Sequence, residues 1–152
     1  QGYYNFIQFG SIQSRSFDLN IDSQFSDIKL EISYNYNDLY DLEEYEYINS
    51  VSRHSLNSKI SKNFQTLDFD VNLFYRYLGE KEIGTRTPDF EYIKLSIPGY
   101  GLWRLSISKV DLWDIIDIST GVDNIFNYIN KQDLSNINPG RTFFINFQIR
   151  KK

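Results

Sequence analysis

The chain has 152 residues, 16 basic and 20 acidic side chains and a formal charge of −4, which suits one domain with a core and leaves no room for two. It has no cysteine, methionine or alanine, while aromatics make up 17% of it, as 12 Tyr, 12 Phe and 2 Trp. Such usage discards the best helix former and keeps strand and turn formers. It disfavours helical bundles and α/β enzymes, excludes disulfides, zinc fingers and thiol chemistry, and gives nucleic acid no electrostatic footing.

The missing Met marks residue 1 as a processed end or the start of a fragment. No run of about 18 apolar residues is present to form a transmembrane helix, and no signal peptide remains. The mean hydropathy of −0.46 ordinarily means a soluble protein. An alternating strand, however, hides a lipid-facing surface inside a polar average.

Seven period-two segments follow in chain order, each ending in turn-type residues. In 11–25, Phe17, Leu19 and Ile21 alternate with Asp18, Asn20 and Asp22. In 28–37, Ile28, Leu30, Ile32, Tyr34 and Tyr36 alternate with Lys29, Glu31, Ser33 and Asn35. Residues 53–64 place Leu56 and Ile60 opposite Ser55, Asn57 and Lys59. In 67–77, Phe69, Val71, Leu73, Tyr75 and Tyr77 oppose Asp68, Asp70, Asn72 and Arg76. Residues 101–110 set Trp103, Leu105 and Ile107 against Arg104, Ser106 and Ser108. The less regular 113–123 carries Ile116, Ile118, Thr120 and Val122 on one face, and 141–150 alternates Phe143, Ile145, Phe147 and Ile149 with polar residues.

The connections alternate in length. Residues 26–27, 65–66 and 111–112 read as tight turns, whereas 38–52, 78–100 and 124–140 are loops of roughly 15 to 23 residues. Short turns at one end and long loops at the other are the layout of an outer-membrane barrel. Eleven residues at about 3.3 Å each, tilted near 45°, rise about 25 Å, the height of its apolar band. With long loops outside, Tyr34, Tyr36, Tyr75, Tyr77 and Trp103 fall at the extracellular interface, and Phe25, Phe64 and Trp113 at the opposite one. Two aromatic girdles are what amphipathic rings form at headgroup depth.

Little supports catalysis. His54 is the only histidine, so a His-containing triad or a multi-His metal site has at most one member from that residue type. Gly99-Tyr100-Gly101 lacks the helix a phosphate loop needs and reads as a turn. The acidic loop over 38–46, with Asp38, Asp41, Glu43 and Glu44, is a weak calcium candidate, since a charge run is usually solvated loop. Lys81, Arg86 and Lys94 make the next loop basic, which suits an anionic solute or lipopolysaccharide. Pro139-Gly140 is a turn pair, Gly121 marks a bulge or a close backbone approach, and Asn124 is placed to bond loop backbone at a strand end. Residues 123–131 alternatively fit a short amphipathic helix.

The stretch Thr120-Gly121-Val122-Asp123-Asn124-Ile125-Phe126, followed by Asn138-Pro139-Gly140-Arg141-Thr142-Phe143-Phe144, resembles the end of TonB-dependent outer-membrane receptors. Arg53-His54-Ser55-Leu56-Asn57 and Tyr75-Arg76-Tyr77-Leu78-Gly79 resemble the strands before it. Asn- and Ile-rich, Ala-free usage resembles that of an AT-rich, Bacteroidetes-like genome. The resemblance implies an all-β fold of antiparallel transmembrane strands, about seven of them, the last of a roughly 22-stranded barrel. Such a barrel needs over about 200 residues before any loop is counted, so the plug domain, the TonB box and the earlier strands would lie outside this chain.

By the same resemblance the protein is a receptor in the outer membrane of a Gram-negative bacterium. It imports a scarce solute (an iron chelate, haem, cobalamin or an oligomeric nutrient), without catalysis or cofactor. Its partners are membrane lipid, the missing plug and strands, and TonB through the missing N-terminal part, with a surface lipoprotein as an optional further one. Asp22, Lys29, Glu31, Asp70 and Arg76 would face the lumen and touch plug or solute. Two alternatives stay open. One is a complete eight-stranded outer-membrane barrel with a structural or adhesion role, using residues 3–9 as an extra strand. The other is a soluble β-sandwich binding module.

Overall fold

The computed structural model describes residues 10–86, 92–112, 115–130 and 139–149. It holds ten strands: β1 (Ile12–Phe25), β2 (Ile28–Asp41), β3 (Glu46–Tyr47), β4 (His54–Phe64), β5 (Phe69–Leu78), β6 (Lys81–Arg86), β7 (Tyr92–Ile97), β8 (Tyr100–Leu112), β9 (Ile116–Asp123) and β10 (Thr142–Ile149). Seven of them pair in the order β1-β2-β4-β5-β8-β9-β10, all antiparallel, with β3 appended to β2 and β6-β7 forming a separate hairpin. The seven alternating segments are these seven strands.

Four local expectations need correction. The turn placed at 65–66 is a four-residue turn over 65–68, because Asp68 takes a φ of 52° and its N–H donates to the Phe64 carbonyl. The turn placed at 111–112 is strand, since β8 continues through Leu112 with a register irregularity after Lys109. Two of the long loops are partly strand: β2 and β3 form a hairpin extension, and β6-β7 occupies most of 81–97. No helix forms over the described part of 123–131, where a turn at Asn124 replaces it.

Among the described residues β1 and β10 do not pair, so the sheet is open at both edges. Residues 3–9, which the eight-stranded alternative needs, lie outside the described residues. The sandwich alternative fails, because the second sheet found is only the β6-β7 hairpin.

Cross-strand register sorts the side chains onto two faces. One face carries rows such as Leu30–Ile60–Leu73–Leu105–Val122–Phe143. The other carries rows such as Asp22–Glu31–Lys59–Phe74–Arg104–Asp123. A conventional core is missing among the described residues: only Ile97 and Tyr100 are buried hydrophobics. Mid-sheet Ile60 and Ile107 are each 45% exposed, though both have neighbours on either side, so the apolar face is an outer surface. Such a contiguous apolar surface requires a partner or a lipid solvent.

Candidate functional site

A concavity of about 700 Å³ runs along the polar face and is lined from all seven main strands, from Asn20 and Asp22 on β1 to Thr142 on β10. Seven strands about 4.8 Å apart can share one concavity only if the sheet curves around it, with the polar face inside. Period-two alternation therefore becomes a polar wall facing in and an apolar wall facing out.

Register builds a charged row across this wall. Asp22 stands opposite Glu31, and Glu31 opposite Lys59, whose Nζ lies 3.3 Å from Glu31 Oε2. Lys29, two residues before Glu31 on the same face, also donates to its carboxylate. Phe74 separates Lys59 from Arg104, with Lys59 Nζ 5.6 Å from its ring centre. Arg104 Nε lies 3.2 Å from Asp123 Oδ1, and its guanidinium stacks 4.4 Å over Phe144. One row further toward the long loops run Asn20, Ser33, Asn57, Arg76 and Leu102, with Ser33 Oγ donating to Asn20 at 2.7 Å.

Of the lumen candidates, Asp22, Glu31 and Arg76 line the concavity together. Lys29 stands at its margin, bound to Glu31. Asp70 does not join them: it lies several rows toward the short turns, opposite Ser108, and accepts from Asn63 Nδ2 at 2.8 Å. Lys59, Arg104 and Asp123 complete the row, yet none was singled out from the sequence. Their parity was legible, but which residues meet across strands was not.

The acidic loop does not assemble a metal site. Asp38 is buried on the outward side of β2, 3.2 Å from Arg53 Nε, while Asp41 Oδ1 accepts the N–H groups of Glu43 and Glu44 at 2.8 and 3.2 Å. Glu43 and Glu44 are exposed, and no group of three potential ligands occurs among the described residues. Asp38 and Asp41 are thus committed, one to an ion pair and the other to a turn. In the next loop Lys94 Nζ reaches Glu46 at 3.3 Å and Lys81 also has a partner, whereas the Arg86 side chain is outside the described part.

Tyr34, Tyr36, Tyr75, Tyr77 and Trp103 share the convex face at its long-loop end. Tyr34 Oη lies 2.7 Å from His54 Nδ1, Tyr36 packs 5.2 Å from the same imidazole, and Tyr75 lies 4.6 Å from Trp103. Phe25 and Phe64 mark the short-turn end of that face, and Trp113 lies outside the described residues.

The motif residues hold the last long loop. Gly121 is a close approach without a bulge: a Cβ there would collide with the Leu105 carbonyl oxygen and come 2.7 Å from Phe144 Cζ. Asn124, 5% exposed, donates to the Tyr128 carbonyl at 2.7 Å and accepts its N–H at 2.9 Å. Asn127 Oδ1 accepts the Arg141 N–H at 2.8 Å, beside Gly140 with its φ of 81°. Pro139 lines the concavity, and Phe126 stands edge-on to Trp103 at 6.5 Å on the convex side.

No protein-family model and no curated protein matches the sequence. Solved structures do. The ferripyoverdine receptor of the outer membrane of Pseudomonas aeruginosa is similar with a TM-score of 0.71 at 15% identity, over 90% of this chain and 19% of that one. The FrpB iron transporter of Neisseria meningitidis gives 0.70 at 12% identity, over 90% and 23%. The siderophore receptor PirA of Acinetobacter baumannii gives 0.67 at 19% identity, over 90% and 21%. The fold is thus all-β and antiparallel and resembles part of the barrel of TonB-dependent receptors, with the sheet open at both edges among the described residues. The chain spans about a fifth of the length of the receptors it matches.

Proposed function

We propose that this chain is the C-terminal barrel portion of a TonB-dependent receptor in the outer membrane of a Gram-negative bacterium. It contributes wall, solute-facing lining and extracellular loops to an importer of a scarce solute, and it does no catalysis. The observation that carries this reading is the inverted sheet, polar inside its curve and apolar outside. That sheet superposes on outer-membrane iron receptors over 90% of the chain. The earlier strands continue the sheet at its edges, and the plug packs against the concave wall, where Asp22, Glu31 and Arg76 meet plug or solute. The tyrosines with Trp103, and Phe25 with Phe64, are the two membrane girdles.

Energy coupling runs through TonB by way of the plug, and a surface lipoprotein is a compatible loop partner. An iron chelate is the first solute to test, because the matched proteins are named for siderophores or iron. The experiment measures uptake of a panel of iron-labelled chelates, haem and cobalamin by cells carrying the full receptor, with and without TonB. Uptake of one panel member that disappears without TonB is the expected result. Import that continues undiminished without TonB, or a receptor absent from the outer-membrane fraction, overturns the proposal.

A further inference from the structure

Two lysines face the wrong way. Lys62 shares the convex row of Ile28, Val71 and Ile107, and Lys109 stands opposite Ile118 on that same face. A cation in the apolar band of a barrel is costly at mid-depth and nearly free at the interface. Both lysines stand near the short-turn end and bend toward it. Lys62 Nζ lies 3.6 Å from Asp27 Oδ2 in the β1-β2 turn, and Lys109 Nζ lies 3.7 Å from Asp68 Oδ2 and 3.3 Å from the Leu67 carbonyl in the β4-β5 turn. The aliphatic stems thus cover apolar surface while the ammonium groups reach headgroup depth.

Between the two cations lies an aromatic floor. Phe64 and Phe69 stack at 4.9 Å, and Lys62 Nζ sits 5.2 Å from the Phe64 ring centre. Lys62 and Lys109 are two strands apart, about 10 Å at ordinary strand spacing. All four charged groups remain open to the outside, with side-chain exposures of 45% and 34% for Lys62 and Asp27, and 39% and 74% for Lys109 and Asp68. Each ammonium therefore has donor capacity left, since one Nζ carries three N–H groups and its carboxylate neighbour stands beyond ideal hydrogen-bond length.

We propose that this strip binds a phospholipid with a phosphoethanolamine headgroup, from the leaflet at the short-turn side. The lysines take the phosphate, Asp27 or Asp68 takes the primary ammonium, and the phenylalanine pair carries the glycerol and upper acyl chain. Charge complementarity selects this occupant. A purely anionic headgroup gains the lysines but meets two aspartates. A choline headgroup has no N–H to give a carboxylate. The inference rests on the membrane reading above and names a partner of the convex face, which that reading leaves as lipid in general.

The test reconstitutes the full receptor in nanodiscs holding equal parts of ethanolamine, glycerol and choline phospholipids, and reads the lipids it retains by native mass spectrometry. Enrichment of the ethanolamine lipid by about threefold or more is expected, a modest factor suited to exposed ion pairs. Lys62→Gln with Lys109→Gln brings the enrichment to parity, whereas Lys59→Gln, on the concave side of the same strand, leaves it intact. Asp68→Asn, in an exposed turn, serves if the double variant fails to assemble, and it shifts retention from ethanolamine to glycerol lipid. Insertion without headgroup preference, or equal preference in wild type and double variant, overturns the inference alone. Failure to insert into any bilayer overturns the membrane reading with it.

Discussion

Asn124 ends β9 in a conformation that few residues tolerate, at a φ of 52°, and its amide closes a ring of two hydrogen bonds onto Tyr128. Asparagine suits this place because its short side chain tolerates the left-handed region and mimics backbone. Asn124→Ala keeps the strain and loses both bonds, so it should lower barrel stability by about 2–3 kcal/mol and speed proteolysis over 124–130. Urea titration and limited digestion of the full receptor measure the two effects. This role was legible from residue type and position alone. The partners were not, because Tyr128 and the nearby Asn127–Arg141 bond depend on how the loop returns.

At the scale of elements, parity carried most of the information. Every alternating segment is a strand, and its residues sort onto the two faces as the period-two pattern requires. Register was not legible, and it explains why Asp70 has the right parity yet sits rows away from the concavity. The hairpin β6-β7 is not legible as strand in the sequence, because Lys81-Glu82-Ile83-Gly84 shows no sustained alternation. Its position is supported by contacts to another loop, Glu82 N–H to the Asn49 carbonyl at 2.7 Å and Lys94 to Glu46. Adjacent positions on β4 offer a direct test of the two faces. Ile60→Lys places a cation on the mid-height convex face and should cost about 2–4 kcal/mol of folding stability in lipid vesicles. Lys59→Gln, one residue away but on the polar wall, should cost under about 1 kcal/mol. Equal costs for the two would contradict a lipid-facing convex side.

For the whole molecule, composition pointed to a polar all-β domain, and the arrangement in space inverts what that average means. With Ile97 and Tyr100 the only buried hydrophobics among the described residues, the chain resembles no domain that folds around an interior. Its strand edges at β1 and β10, unpaired among the described residues, are templates for further pairing. The concave wall has one more consequence. Its lining sets Asp22, Glu31 and Asp123 against Lys59, Arg76 and Arg104, three charges of each sign. This stretch therefore projects no single-signed field that could funnel an ion inward, and under the proposed function a polar solute would be held here by short-range hydrogen bonds whose strength survives screening. Association of solute with this part of the receptor should change less than about twofold between low and physiological ionic strength, read from the on-rate in stopped flow. A steep salt dependence would place the discriminating charges on other strands or on the loops.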